Sequence, residues 1–285
     1  MEKLKIAIQK SGRLNEGSLA LLKECGIKIE NGKDQLLTQA SNFPMEVLYL
    51  RNGDIPQYLK DEVVDIAIIG ENTLIEKNAE ELKTLSLGFS RCRFSIALPR
   101  NAEFKSIKDL ENKRIATSYP HTVQTFLDRE GIKAKIHEIS GSVEISPNIG
   151  LADAICDIVS TGSTLFKNGL TEVYTIFKFE AVLAANPNLS QKKKEILARL
   201  IFRIESVLRA RNTKYIMLNA HKKDVDNICS ILPGLKSPTI IPLEEPDWVS
   251  IHSVILEDEF WDLIDQLKQN NAENILILPI EKILV

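Results

Sequence analysis

The chain has 285 residues, a formal net charge of −3, 44% hydrophobic residues and 26% charged residues. That length asks for two or three domains, and the hydrophobic share excludes a disordered chain. The near-balanced charge excludes a global pull towards nucleic acid and leaves room only for a local basic pocket. Cys25, Cys92, Cys156 and Cys229 are widely spaced, with no CxxC pair. This disfavours a zinc knot or redox motif and fits buried thiols in a reducing compartment. The N-terminus carries no long apolar stretch, and no apolar run approaches the ~18 residues that span a bilayer. A cytoplasmic, soluble protein with no membrane or nucleic-acid partner is expected.

Residues 4–9 alternate with period 2 and predict a strand, followed by the polar turn Lys10-Ser11-Gly12-Arg13. A helix follows, with Asn15 suited to the N-cap and Gly26 to the C′ stop. Residues 45–50 predict a second strand. Residues 63–69 are apolar almost throughout, as in a strand buried on both faces of a parallel sheet. Gly70-Glu71-Asn72-Thr73 then turns into a helix. Repeated β-turn-α units imply a mainly parallel, doubly wound sheet.

A second set begins near Arg91, with strands predicted at 93–98 and 114–117. Pro120-His121-Thr122 opens a helix that Gly131 closes, and residues 155–160 form another strand. Residues 172–185 read as two extended segments and 190–211 as a long amphipathic helix. The α/β fold class follows: two doubly wound lobes around a cleft, lobe I over 1–91 and 174–210 and lobe II over 92–173. Ligands of such folds sit in the cleft, at the C-terminal ends of strands.

The last stretch, 211–285, has another rhythm. Strands at 214–219, 239–243, 249–256 and 274–278 alternate with helices at 224–232 and 257–269, and Pro233-Gly234 breaks the chain. This is the ferredoxin-like βαββαβ order, shared with ACT-like sensing domains. Phe260, Leu263, Ile264 and Leu267 form an apolar stripe that belongs to a helix core.

The segment richest in chemistry is Asp153-Ala154-Ile155-Cys156-Asp157-Ile158-Val159-Ser160-Thr161-Gly162-Ser163-Thr164-Leu165. A buried strand ends in a small hydroxylated loop, and a helix follows. Backbone N–H groups at a helix start favour an anion, Gly162 permits close approach, and the hydroxyls of Ser160, Thr161, Ser163 and Thr164 add donors. Together they suit a terminal phosphate. Asp153 and Asp157 precede the loop, where a carboxylate would accept hydrogen bonds from ribose hydroxyls. A capped strand-to-helix turn with a surface Asp is the competing reading, because short Gly/Thr turns are common.

This run resembles the phosphoribosyl pyrophosphate loop of the ATP phosphoribosyltransferase family, an acidic strand followed by Ser/Thr-Gly-x-Thr-Leu/Met. The resemblance covers nearly the whole chain. It takes in Gln9-Lys10-Ser11-Gly12-Arg13-Leu14, Arg51 with Asp54-Ile55-Pro56, and Asp65 with Ile69-Gly70-Glu71-Asn72. It continues through Arg114-Ile115-Ala116-Thr117-Ser118-Tyr119-Pro120, Gly141-Ser142-Val143-Glu144 and Lys214-Tyr215-Ile216-Met217-Leu218. It closes with Ser237-Pro238-Thr239-Ile240 and Leu278-Pro279-Ile280-Glu281-Lys282. The C-terminal domain matches the long form of the family, which carries its own regulatory domain.

The resemblance implies the first step of histidine biosynthesis. N1 of the ATP adenine attacks C1 of the ribose and pyrophosphate leaves, its charge neutralised by Mg2+. Such a transition state asks for positioning and positive charge at the leaving group rather than a covalent nucleophile. Lys10, Arg13 and Arg51 follow strands at the expected cleft edge and are assigned to the phosphates, with Arg51 assigned to the departing pyrophosphate; solvated loop charge is the alternative. Gly70, Glu71, Asn72, Tyr119 and Glu144 are candidates for nucleotide, ribose or magnesium-bound phosphate, against helix caps or satisfied loop carboxylates. His121 is either a stacking ring or an N-terminal helix residue. His137, His221 and His252 show no paired metal spacing, so magnesium is expected to arrive with its phosphates rather than in a protein-built cage.

In the long form of the family, histidine binds between ferredoxin-like domains of neighbouring subunits and inhibits. His221, Leu235, Thr239 and Ser253 fall in segments that match that pocket. His221 stands where some relatives carry an acid; a neutral imidazole accepts one hydrogen bond but supplies no fixed negative charge. The resemblance further implies a homodimer as the active unit and a homohexamer when inhibited. Two competing hypotheses are a small-solute-binding module, since two α/β lobes also describe type II periplasmic binding proteins, and a catalytically weak histidine-sensing homologue.

Overall fold

The structure, a computed structural model, describes residues 2–30, 36–232, 234 and 237–284. The chain divides into two compact units: Met1–Lys23 with Ile27–Leu197, and Glu24–Gly26 with Ala198–Val285.

The first unit holds two sheets. Its first stretch runs β1 (Leu4–Gln9), α1 (Arg13–Glu24), β2 (Leu37–Gln39), β3 (Met45–Leu50), α2 (Ile55–Lys60), β4 (Ile66–Gly70), α3 (Glu71–Glu76) and β5 (Lys83–Ser86). It crosses into β6 (Cys92–Pro99), β7 (Arg114–Thr117), α4 (Pro120–Glu130), β8 (Lys135–Glu138), β9 (Ala154–Val159), α5 (Ser163–Lys167) and β10 (Leu170–Phe179). It returns through β11 (Ala181–Ala185) and enters α6 (Gln191–Arg211), the helix in which the boundary between the units falls.

The six-stranded sheet has the order β2-β3-β1-β4-β11-β5 and the five-stranded sheet the order β10-β6-β9-β7-β8. Pairings of β1 with β3 and β4, and of β7 with β8 and β9, are parallel. Those of β2 with β3, β11 with β4 and β5, and β6 with β9 and β10 are antiparallel. Both sheets are therefore mixed, where periodicity predicted mainly parallel ones. Each lobe takes as an interior strand one that has just crossed from the other, β11 in one sheet and β6 in the other. A crossing strand arrives from the cleft side and runs against its βαβ neighbours. The same exchange moves the lobe boundary. The segment expected to return to lobe I from 174 is β10, whose register from Leu170↔Pro99 to Phe179↔Cys92 keeps it on the lobe II sheet until the crossing at Glu180.

Interior strands are apolar because both faces are covered. Ile66, Ala67, Ile68 and Ile69 of β4 are fully buried, as are Leu4, Ile6, Ala7 and Ile8 of β1. In lobe II, Phe94, Ile96, Phe126, Leu127 and Cys156 share one core face, while Ala97, Ala116, Ile155 and Val159 share the other. Helix signals were mostly legible. Pro120 opens α4, and Gly131, at φ 64°, closes it in the left-handed region. The first helix differs: Gly12, at φ 87°, makes the turn, and Glu16 N–H already bonds Gly12 C=O at 3.0 Å. Asn15 is consequently inside the first turn, and its amide reaches back to Gln9 C=O at 2.7 Å.

The second unit carries β12 (Thr213–His221), α7 (Val225–Ile231), β13 (Thr239–Pro242), β14 (Trp248–Leu256), α8 (Phe260–Gln269) and β15 (Glu273–Pro279). The antiparallel order β13-β14-β12-β15 is that of the ferredoxin-like fold. Ile216, Leu218 and Ala220 of β12 meet Ile228 of α7 and Leu263, Ile264 and Leu267 of α8 in one core, so the predicted stripe packs inward. Among the described residues no helix is long and apolar enough to cross a membrane.

Phe94 is fully buried and stands edge-on to Tyr119, with ring centroids 5.5 Å apart. Phe94→Ala leaves an aromatic-sized void and is expected to cost about 3–5 kcal/mol, read as a shift of the urea denaturation midpoint at constant slope.

Candidate functional site

The C-terminal ends of the parallel strands collect most of the expected groups. Gln9 pairs with Leu50 and Ile8 with Ile68, so the residues that follow, Lys10, Arg51 and Gly70, lie along one edge of the lobe I sheet. Lys10 N–H bonds Leu50 C=O at 2.8 Å, which leaves the exposed Lys10 and Arg51 side by side. Arg13 opens α1, and its Nη1 donates to Ser160 Oγ at 3.2 Å. That bond joins the basic edge of lobe I to the hydroxylated loop of lobe II.

The loop follows β9. Gly162 adopts φ 77° and ψ 0° as the N-cap of α5, a conformation that a side chain would strain. Thr161 Oγ1 and Ser163 Oγ lie 3.1 Å apart, and Ser163 N–H points at Thr161 Oγ1 at 3.4 Å. Ser160, Thr161, Ser163 and Thr164 are exposed. The first N–H groups of α5 have no partner inside the helix, so amides and hydroxyls together form a donor surface for an anion.

The two acids before the loop part company. Asp157 is partly buried on β9 beside the loop. Burial pushes its carboxyl up to about 6, opposed by the Ile158 N–H and helped by the nearby charge of Glu144. That N–H donates to Asp157 Oδ1 at 2.7 Å. Asp153 precedes the same strand, so the length of β9, about 20 Å at ~3.3 Å per residue, separates it from the loop. There it is forked by Arg114: Nη2 to Oδ1 at 2.7 Å, Nε to Oδ2 at 3.2 Å and backbone N–H to Oδ2 at 2.9 Å. This pairing holds Asp153 down to about 2. The sugar-holding role expected of Asp153 is thus corrected. It is an ion-pair strut at the far edge of the sheet, because a full strand lies between it and Ser160.

Gly70 caps the start of α3, and Asn72 Oδ1 folds over it so closely that a Cβ there would sit 2.4 Å away. Asn72 Nδ2 reaches Tyr119 Oη at 3.4 Å, and Thr73 Oγ1 takes Asn52 Nδ2 at 2.7 Å. Glu71 is paired with Lys83 at 2.7 Å. Tyr119 packs its ring into the lobe II core, and burial, then the Asp157 charge, raises its phenol above the usual range. Its hydroxyl, rather than a free ring face, addresses lobe I. His121 is an N-terminal helix residue of α4. Its N–H and that of Thr122 bond the Glu76 carboxylate at 3.0 and 2.9 Å, and the Thr122 hydroxyl joins at 2.7 Å. Glu76, from lobe I, therefore caps a lobe II helix. Nothing in its sequence context marks it, since its partner lies far along the chain. Arg93, Glu172, Asn52 and Thr73 were missed for the same reason.

A cavity of about 600 Å³ adjoins the loop between the lobes, lined by Glu71, Lys83, Arg91, Arg93, Ser160 and Lys178 among others. Among the described residues no three His, Cys, Asp or Glu side chains cluster as metal ligands. Glu144 and Asp157 beside the loop provide two carboxylates. That number suits Mg2+, which takes one or two carboxylates and completes its shell with phosphate oxygens and water.

In the second unit, His221 ends β12, pairs in register with Trp248 and stacks edge-on against it at 5.9 Å. Its Nδ1 accepts the Lys223 N–H at 3.3 Å. Thr239 lies exposed on the edge strand β13 opposite His252. Ser253, next along β14, therefore faces the other side of the sheet. It is buried, its hydroxyl has no partner among the described residues, and Gly234 lies against it. Leu235 lies outside the described residues. Within one chain His221, Thr239 and Ser253 do not converge.

A family model described as HisG: ATP phosphoribosyltransferase matches residues 51–206, and one described as HisG, C-terminal domain matches residues 210–282. The chain is similar to the ATP phosphoribosyltransferase of Cytophaga hutchinsonii, 54% identical over 280 residues and 98% of each chain. It is also similar to that of Parabacteroides distasonis, 53% identical over 282 residues, 99% of this chain and 100% of the other. Among solved structures it resembles a chain of the ATP phosphoribosyl transferase (HisG:HisZ) complex from Thermotoga maritima. The TM-score is 0.62 at 30% identity, over 72% of this chain and 98% of that one. The periplasmic sulfonate-binding protein SsuA from Methylobacillus flagellatus, at TM-score 0.50 and 16% identity over 72% of this chain and 67% of that one, shares the fold alone.

Because the Asp157 pKa is raised on folding, its contribution to stability is fully present below about 4 and is lost as pH rises through about 6. Asp157→Asn removes the ionised form. The ligand-free variant should melt higher than the wild type at pH 7.5, with the gap closing as the pH falls to 4. A gap independent of pH would show that the carboxylate is not desolvated.

Proposed function

The chain belongs to the ATP phosphoribosyltransferase family in its long form, and on that premise we propose that its 160–164 loop grips the 5-phosphate of phosphoribosyl pyrophosphate while Lys10, Arg13 and Arg51 face the pyrophosphate. The enzyme transfers the phosphoribosyl group to N1 of the ATP adenine and releases pyrophosphate, the first step of histidine biosynthesis, and its C-terminal domain is regulatory. The observation that carries the site assignment is the Arg13–Ser160 hydrogen bond, which brings the basic strand edge and the phosphate loop to opposite walls of one cleft.

The loop supplies amides and hydroxyls, already gathered at one helix start, to phosphate oxygens. Asp157 is ionised above about pH 6 and accepts ribose hydroxyls, with Glu144 beside it. Burial makes that carboxylate a stronger hydrogen-bond acceptor than one in water. As the C1–O bond lengthens, negative charge gathers on the leaving pyrophosphate and the sugar becomes cation-like. The guanidinium and ammonium groups of Arg51, Arg13 and Lys10 stabilise the former. Mg2+ would arrive with the substrate phosphates, Glu144 would help to hold it beside the loop, and it would supply charge neutralisation at the leaving group. ATP enters along the Gly70–Glu71–Asn72 turn, where the Asn72 amide, folded over Gly70 and facing the Tyr119 hydroxyl, is the polar group offered to a base edge.

Histidine acts through His221, Leu235, Thr239 and Ser253 at a contact between ferredoxin-like domains of two subunits. The exposed position of Thr239 on the edge strand β13 supports a site completed by a neighbour. From the family resemblance we further propose a homodimer as the active form, a homohexamer as the inhibited form and a cytoplasmic location.

Purified protein mixed with ATP, Mg2+ and phosphoribosyl pyrophosphate should show the absorbance rise of an N1-substituted adenine. Thr164→Val is expected to raise KM for phosphoribosyl pyrophosphate at least about tenfold, the worth of one charge-assisted hydrogen bond, and to leave KM for ATP within about twofold. Equal kinetics in the variant would remove the loop from the site. His221→Asp, by adding the charge that an ammonium group prefers, should tighten histidine inhibition about tenfold; an unchanged inhibition constant places the effector elsewhere.

A further inference from the structure

We propose that Arg93 and Glu172 are a positioning pair for the phosphate loop, so that affinity for the sugar phosphate depends on two side chains that do not touch it. The inference rests on the loop assignment above. Arg93 is the second residue of β6 and pairs in register with Val159, the last residue of β9. Its Nε and Nη2 take the two carboxylate oxygens of Glu172, and its remaining nitrogen, Nη1, donates to the Ser160 carbonyl at 2.9 Å. A peptide unit is planar and trans. Turning the Ser160 C=O towards Arg93 therefore turns the Thr161 N–H to the opposite side, away from the guanidinium. Nη2 lies 3.9 Å from where a Cβ of Gly162 would stand, so the loop backbone rests on the same group.

The carboxylate is built into place. Ser95 Oγ, itself buried, donates to Glu172 Oε1 at 2.8 Å, and Thr175 Oγ1 donates to it at 3.2 Å. In a regular strand, residues 172 and 175 would point to opposite faces. The β10–β6 register shifts between Glu172 and Tyr174 and again between Thr175 and Phe177. Those irregularities bring both side chains onto one carboxylate, a use of bulges common beside functional sites. A lysine at 93 would hold Glu172 or the Ser160 carbonyl but lacks the fork that holds both.

Arg93→Lys, Glu172→Gln and Thr164→Val, each checked by circular dichroism and melting temperature, separate the possibilities. Arg93→Lys and Glu172→Gln should each raise KM for phosphoribosyl pyrophosphate tenfold or more. KM for ATP should stay within twofold and kcat within threefold, and calorimetric affinity for phosphoribosyl pyrophosphate should fall in parallel. Should either variant not fold, Thr175→Val, which keeps the ion pair and deletes one donor, reads the same quantity and should raise that KM at least twofold. An unchanged KM in the folded variants, with a raised KM in Thr164→Val, overturns the pair and leaves the loop standing. A fall in kcat with unchanged KM assigns Arg93 to the chemistry and likewise overturns the proposal. A rise in the Arg93 variant with none in Thr164→Val places the phosphate elsewhere and removes both readings.

Discussion

Burial of the central strands on both faces controls where every candidate group can stand. β4 and β9 have no solvent side to slide towards, so a shift of one residue would drive a charged side chain into core. Asp157 shows the constraint at its limit. It occupies a strand position between the buried Cys156 and Val159, and its carboxyl titrates near 6 because water is largely withheld from it. The same rigidity sets the loop that follows, since Gly162 turns the chain immediately after a strand whose register is fixed on both edges.

On that base the two lobes are tied by a few polar contacts of long sequence reach. Arg13 meets Ser160, Asn72 meets Tyr119, and Glu76 caps α4. Each puts a group of one lobe against a strand end or helix start of the other. A polar tie of this kind is worth only about 0.5–1.5 kcal/mol net, which is small beside the apolar burial inside each lobe. Folding is accordingly the business of the two cores, while the ties set the geometry across the cleft. The chemistry needs that division: positive charge from lobe I and phosphate donors from lobe II must be held at one separation before the substrate arrives.

The acids before the loop carry a second lesson. Both stand in one run of sequence, both are aspartates, and both precede a hydroxylated turn. One is held near 2 by a forked arginine and the other is pushed to about 6 by burial. Chemistry that needs a poised carboxylate could use only the second. The deciding fact is which end of β9 each occupies and which face it shows.

Local pattern was enough for much of this protein. Period-2 strands, the Pro120 start and Gly131 stop of α4, the Gly162 turn, the βαββαβ order and the loop with its donors are all local signals, because they depend on side chains a few residues apart. Strand direction is not local. Alternation looks the same whichever way a strand runs, so the mixed sheets and the true position of β10 emerged only when the crossing strands found their neighbours. Asp153 was misplaced because counting residues to a loop ignores the strand between. Glu76, Arg93 and Glu172 carry no mark in their own neighbourhoods. Their partners stand 45 to 79 residues away, and only the packed sheets bring such residues within hydrogen-bond range.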